Sequence, residues 1–207
     1  MASLESLLPL VRRHAAGCPD FVILDALRYA AREFCRDSWF VKRTLEVPLY
    51  AGQAFYDLEP ESADEEIIGV DAVQYLGLPL EPADPKAVFQ RSGSPRVFLW
   101  LPPATLEIAP YPSADTGSLV DPMFVSVVVQ PKETAATYPD DIQREFDHCI
   151  ADGAVARVCG VEGAAWSSPR LALKHGQIFY TSKMNAKGKA LRAHMPRGLR
   201  VQPVRFA

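Results

Sequence analysis

Twelve of the 18 prolines in this 207-residue chain fall between Thr44 and Pro131. Proline has no backbone N–H and its ring clashes with the preceding turn, so no long helix can run through that region. The stretches between the prolines are short and β-prone. TLEVPLY alternates, IIGVDAVQYL is strand-like, and RVFLWLPP, TLEIAP and MFVSVVVQP follow. This texture predicts a small antiparallel β domain with prolines at its edges and corners.

Helical patterns lie on either side. SLESLLPLVRRHAA predicts a helix opened by Ser3 as N-cap and limited in regularity by Pro9, and GCP at 17–19 is a turn. DFVILDALRYAAREFCRDSWF then sets Leu24, Leu27, Ala31, Phe34 and Cys35 on one face and Arg28, Arg32 and Arg36 on another. After the β region, YPDDIQREFDHCIADGAVARVCGV places Asp140 and Asp141 at a helix start. There they cap the first turn and complement its dipole. Ile142, Phe146, Cys149 and Ile150 form its inward face, and Gly153 and Ala154 permit close packing. Ser168 and Pro169 open a last helix that runs to about Lys187, where Gly188 weakens it. Segregated elements of this kind predict an α+β fold. The expected plan is a helical bundle built from the N- and C-terminal helices (1–43 and 132–195), an inserted small antiparallel β domain (44–131) and an extended C-terminal docking tail (196–207).

The net charge of −3 hides a strong asymmetry. All 25 acidic residues lie in 1–162, whereas 163–207 holds nine basic residues and no acidic one. Within 44–85 there are ten acidic residues and no basic one, which reads most simply as a solvated face. A split this sharp predicts that different regions of the molecule meet different partners. Four cysteines, Cys18, Cys35, Cys149 and Cys159, lack a CxxC pair or neighbouring histidine ligands, so buried reduced thiols are expected and no metal. No apolar stretch approaches the roughly 20 residues needed to cross a bilayer, so no membrane association is expected. The N-terminal apolar run precedes its basic pair, the reverse of a signal peptide, so synthesis in a cytoplasm is expected.

No phosphate-binding glycine loop, HExxH or GxSxG is present, so neither a cofactor nor an enzymatic activity is expected. His148 and Cys149 are adjacent on a helix and diverge by about 100°, which prevents them from acting as a nucleophile–base pair. His14, His175 and His194 are isolated in sequence and lie near basic residues, which favours surface positions. The basic end is a candidate electrostatic footprint for nucleic acid. Lys183, Lys187, Lys189 and Arg192 are candidate contacts to DNA or an acidic partner. They do not form one stripe, because Arg170, Lys174 and Arg192 share one side of the last helix while Lys183 and Lys187 lie roughly opposite. In GLRVQPVRFA, apolar Leu199, Val201, Val204 and Phe206 interleave with Arg200, Gln202 and Arg205. Ordering so short a segment costs roughly 1–2 kcal/mol per residue, so it needs a surface to dock on.

LLPLVRRHAAGCPDFVILDALRYAAREFC, VSVVVQPKETAATYPDDI and IADGAVARVCGVEGAAWSSPRLALKHGQIFY together resemble the head-to-tail adaptor, or connector, proteins of tailed bacteriophages. They are similar to that family's opening helix pair, its last strand with the helix entry, and its final helical hairpin. The resemblance covers nearly the whole chain and contains no catalytic motif. It implies a noncatalytic virion protein of the neck, forming a ring of about twelve copies with head-to-tail contacts that close by rotation. It further implies the portal protein and a downstream tail or neck protein as partners, and DNA passing nonspecifically through the centre. Leu199, Val201, Val204 and Phe206 become anchors, and Arg200 and Arg205 charge contacts, for docking on the portal or a neighbouring subunit. Rival readings are a nonspecific nucleic-acid-binding protein, a tail-completion or tail-terminator protein, and an enzyme with an unrecognised site.

Overall fold

The computed structural model describes residues 1–84, 92–113 and 122–193. The element order is β1 (Ala2–Ser3), a 3-10 turn (Leu4–Leu7), α1 (Leu8–Arg12), α2 (Asp20–Ser38), β2 (Lys42–Val47), β3 (Phe55–Asp57), β4 (Glu65–Tyr75), β5 (Leu78–Pro79) and β6 (Glu81–Pro82). It continues with β7 (Val97–Leu101), β8 (Thr105–Ala109), β9 (Met123–Pro131), β10 (Thr137–Tyr138), α3 (Asp140–Cys159) and α4 (Pro169–Ala193). Two compact units result. One is Met1–Phe40 together with the chain from Asp140 onward, and the other is Val41–Pro139.

The first unit is helical but is not the expected bundle. Pro9 falls at the start of α1, and the Gly17–Pro19 turn follows soon after, so the N-terminal stretch forms only a 3-10 turn and a five-residue helix. Full-length helices are α2, α3 and α4. The α2 core side is Ile23, Leu27, Ala30, Ala31, Phe34 and Cys35, all buried, and the helix ends at Trp39 in the left-handed conformation. Phe34, Phe40 and Phe146 form a ring cluster with centroids 5.1–6.3 Å apart, a spacing at which aromatic pairs add to simple burial. Phe146 itself leaves helical geometry (φ −134°, ψ 17°) and kinks α3. Beyond the kink, Gly153 brings α3 close to both neighbours. A Cβ added there would sit 2.9 Å from Ala30 Cβ and 2.9 Å from the Phe179 ring. α4 starts at Pro169, with the Ala172 N–H donating to the Ser168 carbonyl, and continues through Gly188 to Ala193, a full turn and more past the expected end.

The second unit is likewise larger than a small insert, and none of its described residues is helical. Its two four-stranded sheets have the orders β2-β9-β4-β5 and β3-β8-β7-β6. β9 is central, hydrogen-bonded to β2 on one side and β4 on the other, and its Val125, Val127, Val128 and Val129 are fully buried. A near-continuous valine run is what a strand covered on both faces requires. Two irregularities in β4 re-register it against β9, and Leu76 and Gly77, both with positive φ, turn it into β5. Prolines sit where no ladder N–H is needed: Pro79 and Pro82 in the short edge strands β5 and β6, Pro102 and Pro103 between β7 and β8, and Pro131 at the end of β9. Not every pairing among the described residues meets the antiparallel expectation: β6 runs parallel to β7, and Ser92 bridges Tyr111 in parallel. The α+β class therefore holds, whereas the bundle with a small antiparallel insert does not. The tail expected over 196–207 lies outside the described residues.

The tight helix contact has a measurable consequence. Gly153→Ala must displace Ala30 or Phe179 and is expected to destabilise by about 1–3 kcal/mol. Gly188→Ala, where a Cβ meets nothing within 4 Å, should instead stabilise by up to about 1 kcal/mol through helix propensity. Urea unfolding of the two variants against wild type measures both signs.

Candidate functional site

α4 carries every described member of the candidate contact set, and its two sides have different chemistry. The inward side presents His175, Phe179, Lys183, Ala186 and Ala190, all buried. The outward side presents Leu173, Tyr180, Met184 and Leu191, with exposures of 67%, 60%, 37% and 56%.

Lys183 lies on the inward side. Its Nζ donates to Glu33 Oε1 at 2.8 Å and to Asp37 Oδ2 at 2.7 Å, both on α2. Burial opposes the ammonium charge, but the hydrogen bonds and charges of Asp37 and Glu33 outweigh it and raise the Lys183 pKa. Asp37 shows the reciprocal effect: desolvation pushes it up, yet the bonds and charges of Lys183 and Arg36 bring it below the usual carboxylate value. The cation thus finds its acidic partners within its own chain. Lys189 pairs with Glu145 of α3. Lys187 and Arg192 are exposed. Leu199, Arg200, Val201, Val204, Arg205 and Phe206 lie outside the described residues.

His14 is exposed, as expected, whereas His175 departs from the surface position expected. His175 is buried; its Nδ1 is 2.6 Å from Asp152 Oδ1, and its ring centroid is 4.6 Å from that of His14. The His175 Nε2 atom is enclosed with no hydrogen-bond partner. Desolvation, then the neighbouring His175, lowers the His14 pKa, with Lys174 and Arg13 acting in the same direction and Asp152 against it. His194 lies outside the described residues. A histidine held by an aspartate is half of a catalytic relay, but among the described residues no hydroxyl or thiol is hydrogen-bonded to the His175 Nε2. All four cysteines are buried, and burial pushes the Cys149 thiol up to about 12, away from the reactive thiolate. Among the described residues, no group of three or more His, Cys, Asp and Glu is arranged to hold a metal, and no helix is long and apolar enough to cross a membrane.

Sequence reasoning did not foresee the stacking of Arg157 on Tyr29, where the guanidinium carbon is 3.1 Å from the ring centroid. The two residues close a shallow groove of about 320 Å³ between α2 and α3, lined by Val22, Ala26, Val158 and Val161. No local pattern links two positions so far apart in the chain.

The exposed Leu173, Tyr180, Met184 and Leu191 of α4 suit contact with another surface. The family model described as SU10 adaptor protein matches residues 2–202. The chain belongs to the SU10 adaptor protein family. The match is consistent with the resemblance to phage head-to-tail adaptors. No curated protein matches the sequence. Membership in an adaptor family implies a virion component that contacts other phage head or tail proteins, in a structural rather than an enzymatic role.

Two substitutions probe this site. Lys183→Met removes the cation that Glu33 and Asp37 share, with Arg36 still beside Asp37, and should cost about 1–3 kcal/mol, kept modest by that remaining partner and the partial exposure of Asp37; chemical denaturation measures it. Because the His14 pKa is lowered in the folded chain, the unfolded chain takes up that proton first. Stability should therefore fall as pH drops through the ordinary histidine value of 6.5 and level off below the lowered one. His14→Gln should flatten this slope in unfolding experiments run between about pH 7.5 and 5.

Proposed function

We propose that this adaptor assembles as a ring between the portal and downstream tail proteins, leaving a central passage for DNA. The observation that carries the reading is the family match, which runs from residue 2 to residue 202 and so takes in the β unit as well as both helical ends. The charge distribution supports it. A ring closed by rotation needs two different, complementary surfaces on each copy. Here acidic residues are confined to 1–162, and 163–207 is purely basic among its ionised side chains. Exposed Lys187 and Arg192 are cations of α4 that would meet phosphate or an acidic neighbour. Lys183 and Lys189 are already engaged by carboxylates of the same chain. That engagement weighs against a dedicated nucleic-acid grip, which gains affinity from each cation free to displace counterions.

The tail supplies the docking element of the proposal. Leu199, Val201, Val204 and Phe206 would anchor on the portal or on a neighbouring subunit, flanked by Arg200 and Arg205. Leu199 and Val201 alternate with polar neighbours, as Val204 and Phe206 do, and Pro203 interrupts the register between the two pairs.

Two experiments test this. Mixed with portal rings of the same phage, the chain should sediment with them and show an added ring by electron microscopy. Persistence as a free monomer, or binding to tail tube in place of portal, would overturn the assignment. Truncation after Pro196 should leave the unfolding midpoint unchanged while weakening portal attachment. Wild-type attachment by the truncated chain would remove the docking role of the tail.

A further inference from the structure

The outward stripe of α4 has the geometry of a docking helix. Leu173, Gln177, Tyr180, Met184, Lys187 and Leu191 follow one another in alternating steps of four and three. At about 100° per residue they stay within roughly 40° of a common line. Arg170, Lys174 and Arg192 border the stripe, and from Gly163 onward the chain holds no acidic residue. Two such stripes set against each other would bring cations to cations, so the complementary surface is not a second α4. It needs apolar side chains with an acidic surround.

The β3-β8-β7-β6 sheet presents such a surface. Strand alternation sends Tyr56, Phe98, Leu106 and Ile108 to the buried side. On the other side the register sets Phe55 opposite Glu107 and Glu107 opposite Leu99, then Asp57 opposite Thr105 and Thr105 opposite Leu101. Glu81 of β6 lies opposite Val97 at the far edge. Phe55 is 54% exposed, and Val97, Leu99 and Leu101 are half-buried. The charged residues at the paired positions of this face are Asp57, Glu81 and Glu107, with no cation among them.

We propose that α4 of one copy lies across this sheet face of the next copy, with Leu173, Tyr180 and Met184 over Phe55, Leu99 and Leu101. Arg170 and Lys174 then meet Asp57 and Glu107. The contact joins two different patches and is heterologous, as a ring demands. It rests on the ring reading above and names the surfaces that build it. Dimensions agree, because four strands at about 4.8 Å span about 14 Å, or roughly ten helical residues. That is close to the run from Leu173 to Met184.

Charge exchange tests the contact in full-length chains assembling on portal rings. Arg170→Glu with Lys174→Glu, and separately Asp57→Lys with Glu107→Lys, should each raise the concentration needed for assembly roughly tenfold. Combining all four substitutions should recover most of the loss. Wild-type assembly by both reversed chains, or no recovery in the combination, overturns the contact while leaving the ring intact. If wild-type chains form no ring on the portal, the ring reading falls and this contact with it. A second measurement does not depend on the reversed chains folding. Copies carrying Tyr180→Cys are mixed with copies carrying Phe55→Cys and treated with a short bis-maleimide. Cross-linked dimers should appear in the assembled mixture and not with either variant alone; their absence from assembled rings counts against the contact.

Discussion

The close approach of α2, α3 and α4 around Gly153 is the contact on which the helical unit depends. A glycine at that position lets Ala30 and the Phe179 ring come within van der Waals reach of the α3 backbone. On one side of it lies the Phe34–Phe40–Phe146 cluster, and on the other the His175–Asp152 pair. Chain segments separated by the whole β unit are thus held by apolar packing with little room for substitution. Because α1 is only five residues long, three helices must supply that core.

Charge is distributed by the same packing. One side of α4 must be buried to complete the core, and the cation that falls there, Lys183, is tolerable only because Glu33 and Asp37 meet it. The other side keeps its apolar and basic residues at the surface. A helix that exposes Leu173, Tyr180 and Leu191 while offering no acidic side chain is poorly suited to water alone and poorly suited to its own duplicate. That combination fits a protein whose family places it among other virion components.

Much of this was readable before any coordinates. The proline spacing locates the β region, and the runs beginning at Thr44, Ile67, Arg96, Thr105 and Met123 all contain strands. Periodicity locates α2 and α3, and Ser168–Pro169 marks the entry of α4. Three features were not readable. The bundle failed because Pro9 bars a regular helix from running through Leu4–Leu7 into α1, and the turn after Arg12 ends α1 after five residues, an effect local pattern understates. The short edge strands β3, β5 and β6 have two or three residues each, too few to show a period. His175 looked like a surface residue because its partner, Asp152, lies on another helix.

The sequence by itself determined the α+β class, the placement of the long helices and of the longer strands, the segregation of charge and the family. These follow from proline stereochemistry, short-range periodicity and composition, all of which act within a few residues. Tertiary structure alone decided which cations remain available and which face of each element is exposed. Lys183 and Lys187 are four residues apart and identical in kind, yet one is buried between two carboxylates and the other stands in solvent. What separates them is the direction in which α4 turns its core side, and that direction is set by packing against residues more than a hundred positions away.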